Sequence, residues 1–157
     1  MYTTRVSRHV DAPPSAVYRA LLDPDAVARW RVLYGMSCEV HEFDAREGGT
    51  FRVSLTYDTA DGTGKTGART DTYHGRFVEL LPDERVVEIT EFETSDPQLQ
   101  GPMTLTTTLI ALEGGTEVVL LHEGVPDGVP ADDNETGTRT ALDRLAALAE
   151  GRPDPGA

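Results

Sequence analysis

The chain has 157 residues, 38% of them hydrophobic, and carries 14 Lys and Arg against 27 Asp and Glu, a formal net charge of -13. That length suits one domain with one core, and that apolar content excludes intrinsic disorder for most of it. So acidic a surface repels phosphate, which argues against nucleic acid and anionic membranes as partners, and no apolar run approaches the roughly 20 residues that a membrane helix needs. The single cysteine, Cys38, can form neither an internal disulfide nor a Cys-rich metal site. Met1 to Arg5 holds no apolar signal core, so the expected location is a reduced cytoplasm.

The first periodic segment, Thr4 to Val10, puts Val6, Arg8 and Val10 on one side and Ser7 and His9 on the other, as a strand does. Asp11-Ala12-Pro13-Pro14 ends it. Val17, Tyr18, Leu21 and Leu22 then recur as one face of a short helix that must stop by Asp23-Pro24, and a second short helix is expected over Asp25 to Trp30. From Cys38 onward, strands are predicted at 38–44, 50–58, 69–81, 85–94, 102–112 and 116–123, separated by Gly48-Gly49, a Gly/Thr-rich stretch at 58–68, Pro82-Asp83, Pro97 to Pro102 and Gly114-Gly115. Within 50–58, Phe51, Val53, Leu55 and Tyr57 alternate with Arg52, Ser54, Thr56 and Asp58, the pattern of a sheet dry on one face. The strand at 85–94 is ambiguous. A face of Val87 and Ile89 would carry Glu91 inward, whereas a face of Val86 and Phe92 would leave Glu91 in solvent.

The last segment repeats Leu142, Leu145, Ala146 and Ala149 at helical spacing, which predicts a helix over about 133–150 with Asp132, Asp133 or Asn134 able to cap its start. Gly151 and Pro153 stop it, leaving a domain over 1–151 and a tail, 152–157, expected to be disordered. The predicted fold class is therefore α+β, a helix-grip arrangement. A curved antiparallel sheet of six to seven strands wraps around a long C-terminal helix, with two short helices after the first strand. A curved sheet and a straight helix cannot touch along their whole lengths, so a cavity between them is expected, of at least roughly 300 Å³ if it serves a ligand.

No catalytic constellation assembles from the sequence. His9, His41, His74 and His122 stand apart without metal-ligand spacing, and Asp132-Asp133-Asn134-Glu135 lacks the glycine and downstream glutamate of a calcium loop, so no metal and no cofactor is expected. Gly64-Lys65-Thr66 resembles the end of a phosphate loop, but Thr59 stands where that loop needs glycine and a strand follows; a hairpin tip explains it better. Cys38 reads as a buried, inert thiol. His122 shares a strand face with Val118 and Leu120, so it is the candidate for moving a proton or orienting a carbonyl, against the plainer reading of a strand-end histidine bonded to backbone or water. The expected lining of the cavity is Trp30, Tyr34 and Met36 near its mouth, Phe51, Val53, Leu55 and Tyr57 on one strand, Tyr73, Met103, Leu105, Leu109 and His122 on others, and Leu142 from the helix. Trp30 either lines that mouth or plugs it.

Several short motifs follow one another along the chain. They are Ala12-Pro13 with Val17-Tyr18, Asp23-Pro24 with Trp30, Asp44-Ala45-Arg46-Glu47-Gly48-Gly49 with Phe51, Gly75 to Leu80 with Pro82 and Arg85-Val86-Val87, and Gly114-Gly115-Thr116 leading to Val118, Leu120, His122 and Gly124. Together they resemble the family named for the activator of the 90-kilodalton heat-shock chaperone's ATPase, within the START-like, birch-pollen-allergen-like superfamily. The likeness departs at Gly137-Thr138, where the family often has Gly-Trp. A large aromatic side chain is thus missing where helix meets sheet, which enlarges the cavity or lets other side chains fill it.

The resemblance implies a binding module for a small hydrophobic or amphipathic molecule. Its relatives also include polyketide aromatases and cyclases, in which His122 or a pocket tyrosine would serve as acid or base. The family name adds a third expectation, a stress-response role with a chaperone partner, and a homodimer partner remains open beside it.

Overall fold

The computed structural model describes residues 1–31, 36–57 and 70–153. Tyr34, Gly64-Lys65-Thr66 and residues 154–157 of the tail lie outside them. Along the chain come β1 (Tyr2–Val10), α1 (Pro14–Leu22), α2 (Pro24–Trp30), β2 (Met36–Phe43), β3 (Thr50–Tyr57), β4 (Thr70–Leu81), β5 (Arg85–Phe92), β6 (Met103–Leu112), β7 (Gly115–Val125) and α3 (Ala131–Glu150). Proline opens both short helices at the position where its missing N–H is harmless. Asp23 separates them, its carboxylate accepting from the Asp25 backbone N–H at 3.0 Å.

The strands form one seven-stranded sheet in the order β1-β7-β6-β5-β4-β3-β2, every neighbouring pair antiparallel. Consecutive hairpins build β2 through β7, and β1 returns from the other end of the chain to pair with β7. Register shifts at Tyr2/Thr4, Val40/Glu42 and Phe77/Glu79 add local bend, and the sheet curves. The turn before β3 needs both its glycines for different reasons. Gly48 sits at φ +82, and a Cβ on Gly49 would lie 2.0 Å from the Asp44 carbonyl oxygen.

The concave face carries the core. Val6, Val10, Phe51, Val53, Phe77, Val86, Leu109, Val118 and Leu120 pack with Leu142, Leu145 and Ala146 of α3 and Val17, Leu21, Val27 and Trp30 of the short helices. Polar pins tie α3 to β1. Arg8 Nε donates to Asp143 Oδ1 at 2.7 Å, and the Asp11 backbone N–H donates to Glu150 Oε2 at 2.7 Å. Helix α3 starts two residues earlier than expected, and the expected side-chain cap is absent. Pro130 occupies the cap position, and Asn134 turns inward because Thr4 and His122 engage both ends of its amide. Asp132 and Asp133 remain in the first turn, where their charge suits the helix dipole, and Gly151 ends the helix at φ 70 as expected.

Candidate functional site

Antiparallel register sets one row of side chains across four strands. Glu88 of β5 stands opposite Leu105 of β6, Leu105 opposite His122 of β7, and His122 opposite Thr4 of β1. Residues directly opposite share a face, so this row lies on the concave side. Above it, Asn134, Gly137, Thr138 and Ala141 repeat at i, i+3, i+4 and i+7 on α3, a stripe of small or polar groups that leaves a gap. The gap is a cavity of about 220 Å³ bounded by Trp30, Arg31, Met36, Leu55, Asp71, Tyr73, Thr90, Phe92, Met103, Leu105, Leu120, His122 and Val129, with Asp133 and the α3 stripe. It is smaller than the expected 300 Å³, a size for a compact molecule rather than a drug-sized one.

Of the residues expected to line it, Trp30, Met36, Leu55, Tyr73, Met103, Leu105 and His122 do. Phe51 does not reach it, because its ring is 1% exposed and packed against Phe77 at 5.2 Å and Tyr73 at 6.3 Å between centroids. Leu142 lies in the core with α1, and Tyr57 is a half-buried residue opposite Met36 on the β2–β3 pair. Trp30 both lines and plugs: it is 2% exposed, and its indole N–H donates to the Ala20 carbonyl at 2.9 Å.

The polar lining was mostly not foreseen. Arg31 projects its guanidinium onto Glu88 in a two-pronged pair, Nη1 to Oε1 at 3.1 Å and Nη2 to Oε2 at 3.0 Å, and lies 4.9 Å from the centre of the Trp30 ring. Burial works against that charge, yet the Glu88 carboxylate outweighs it and the Arg31 pKa rises. The strand ambiguity at β5 resolves to the face of Val86 and Phe92. Glu88 and Thr90 are buried between them, while Glu91 is half exposed beside His74. The alternation Val86, Glu88, Thr90, Phe92 carried that information, but only a buried arginine elsewhere makes an inward glutamate affordable.

Arg31 reaches the neighbouring titrations as well. Burial pushes the Tyr73 hydroxyl up to about 12 and the nearby guanidinium holds part of that rise back, although no hydrogen bond of ordinary geometry reaches the hydroxyl. Burial drives His122 down to about 4, with the Arg31 charge adding to it, so its imidazole is neutral at pH 7. The Thr4 hydroxyl donates to Asn134 Oδ1 at 2.5 Å, and the Asn134 amide nitrogen donates to His122 Nδ1 at 3.1 Å. An amide nitrogen cannot accept, so the His122 proton sits on Nε2, which faces Met103 Sδ at 3.3 Å. His122 is thereby held as a hydrogen-bond donor, a form unsuited to general base work at Nε2.

A second opening, about 410 Å³, lies between α2, the start of β2 and the end of α3, lined by Arg29, Ser37, Cys38, Arg144 and Arg152 among others. Cys38 there is pushed up to about 11 by burial, which Arg31 only partly offsets, so little of it is thiolate at neutral pH. Among the described residues no cluster of His, Cys, Asp and Glu is arranged to hold a metal ion, and no helix is long and apolar enough to cross a membrane.

The fold agrees with comparisons to known proteins. A protein from Chromobacterium violaceum, solved by crystallography, superposes with a TM-score of 0.86 at 37% identity, over 98% of this chain and 99% of that one. An AHSA1-like protein from Aeromonas hydrophila, solved by NMR, shares the fold at TM-score 0.70 and 19% identity, over 95% of this chain and 92% of that one. A protein from Arthrobacter aurescens does so at TM-score 0.82 and 15% identity, over 99% and 90%. Among curated proteins nothing matches. The family model described as "Activator of Hsp90 ATPase homolog 1-like protein" matches residues 11–150, nearly the whole chain, and the chain belongs to that family.

Proposed function

We propose that this protein binds a small, mostly apolar molecule in the cavity between α3 and the concave face of the sheet. The observation that carries the reading is the lining itself. Trp30, Leu55, Phe92, Met103, Leu105, Leu120 and Val129 supply an apolar wall, and a few oriented polar groups from β5, β7 and α3 interrupt it. That composition is the usual one for a small-molecule site. Gly137 and Thr138 support it further, because the family often fills this place with tryptophan and here the space stays open.

A proton-detected NMR titration with neutral one- and two-ring aromatic molecules tests the reading. Binding with Kd below about 1 mM, with shifts concentrated at Trp30, Leu105, His122 and Thr138, is the expected result. Shifts spread over the outer surface, or none across the panel, would overturn it. The activator role rests on the family description, and co-purification with the host's own Hsp90 is its direct check.

A further inference from the structure

The polar atoms around the cavity differ in how well they are already served. Trp30 Nε1–H is committed to the Ala20 carbonyl, both Arg31 prongs to Glu88, the Thr90 hydroxyl to the His74 carbonyl at 3.0 Å, and the Thr138 hydroxyl to the Asn134 carbonyl at 2.9 Å. Asp71 is engaged in contacts of its own. Two donors stand out against these. His122 Nε2–H has only the Met103 thioether, a weak acceptor on a flexible side chain, and the Tyr73 hydroxyl, more than nine-tenths buried, has the Arg31 guanidinium nearby but no hydrogen bond of ordinary geometry. A ligand oxygen is a better acceptor than a thioether, and the methionine side chain can swing aside to admit it.

Charge narrows the choice of oxygen. The cavity is bounded by one cation, Arg31, and two carboxylates, Asp71 and Asp133, and the cation is already neutralised by Glu88 behind it. A ligand carboxylate entering here would lose its hydration and meet no uncommitted positive charge among the described lining residues.

We infer that the cavity selects an uncharged molecule bearing an acceptor oxygen, a ketone, ester or amide carbonyl, which takes the hydrogen bond of His122 Nε2–H, and that it rejects the carboxylate of the same shape. This rests on the cavity reading above. Thr4 and Asn134 are positioning residues for it, since their chain of hydrogen bonds keeps the His122 proton on the nitrogen toward Met103.

Three ligands of nearly equal shape test the inference in the wild-type protein and in His122→Leu: 2-isopropylnaphthalene, 2-acetylnaphthalene and 2-naphthoate. The quantity read is the affinity of the acetyl compound relative to the isopropyl one. That ratio should fall about 5-fold or more in His122→Leu while the isopropyl compound keeps its affinity, as the loss of one hydrogen bond predicts. Naphthoate should bind the wild type at least about 10-fold more weakly than the acetyl compound. Should His122→Leu not fold, the Nε2 nitrogen resonance of wild-type His122 gives the same answer, shifting with the acetyl compound and not with the isopropyl one. Equal ratios in both proteins, or a motionless Nε2 resonance, overturn the donor role and leave the cavity reading standing. Tight naphthoate binding overturns the charge rule. Failure of both neutral compounds to bind overturns the cavity reading and the inference together.

Discussion

Arg31 and Glu88 meet end to end inside the domain, their side chains 16% and 5% exposed, although 57 residues separate them in the chain. The pair joins the residue just after α2 to the middle of β5, so it fixes how the short helices sit on the sheet beside the cavity. Its net worth against an apolar pair is small, because both charges had to be stripped of water, but each partner is indispensable to the other. Glu88→Ala should therefore cost roughly 3–5 kcal/mol of stability in urea unfolding, and Arg31→Met with Glu88→Leu should cost clearly less. A Glu88→Ala protein as stable as the wild type would show that the pair is not buried as described.

His122 sets an acid limit on stability. Its folded pKa is near 4 against 6.5 when unfolded, so between those values the unfolded chain binds the extra proton. Stability is then full above pH 6.5 and falls as the pH drops, at about 1.36 kcal/mol per pH unit, to a loss of roughly 3 kcal/mol near pH 4. Unfolding midpoints from pH 7 to 4 should show this slope in the wild type and a shallower one in His122→Leu. Parallel curves for the two proteins would remove His122 as the cause.

Thr138→Trp restores the aromatic side chain that the family often carries after Gly137. The indole should enter the cavity, since Thr138 lies on its wall. Binding of 2-acetylnaphthalene should weaken at least about tenfold with the circular dichroism spectrum kept. Undiminished binding would place the ligand elsewhere, the Arg29–Arg152 cleft being the next place to look.

Cys38 should alkylate slowly. With its pKa near 11 rather than 9, its thiolate fraction at pH 8 is on the order of 100-fold lower, and iodoacetamide should react correspondingly more slowly in buffer than in concentrated urea. Equal rates in the two solvents would mean an open, unperturbed thiol.

Much of this architecture was legible beforehand, because its determinants are local. The strand order along the chain follows from alternation bounded by glycine and proline, and α3 follows from Leu142, Leu145, Ala146 and Ala149. Boundaries were less secure: α3 begins at Ala131 because Pro130 can serve as its cap without a side-chain bond, which the carboxylate run at 132–133 had disguised. The apolar cavity wall was legible for the same reason as the strands, but Phe51 and Leu142 were not separable from it. Whether an inward apolar side chain meets open space or another ring depends on its neighbours across the sheet, here Phe77 and Tyr73 for Phe51.

What the sequence by itself determined was the class of fold, the inward face of the cleanly alternating strands such as β3 and the acidic character of the molecule, since all of these depend on residue type and spacing within a few positions. Only the tertiary structure decided the chemistry of the cavity. Glu88 is an inward carboxylate because Arg31 reaches it; His122 is neutral because it is buried near Arg31, and a donor at Nε2 because Asn134, itself held by Thr4, occupies Nδ1. Hydrogen-bond direction is set by what stands within about 3 Å in space, and for these groups Arg31, Thr4 and Asn134 all come from outside the strand that carries the group.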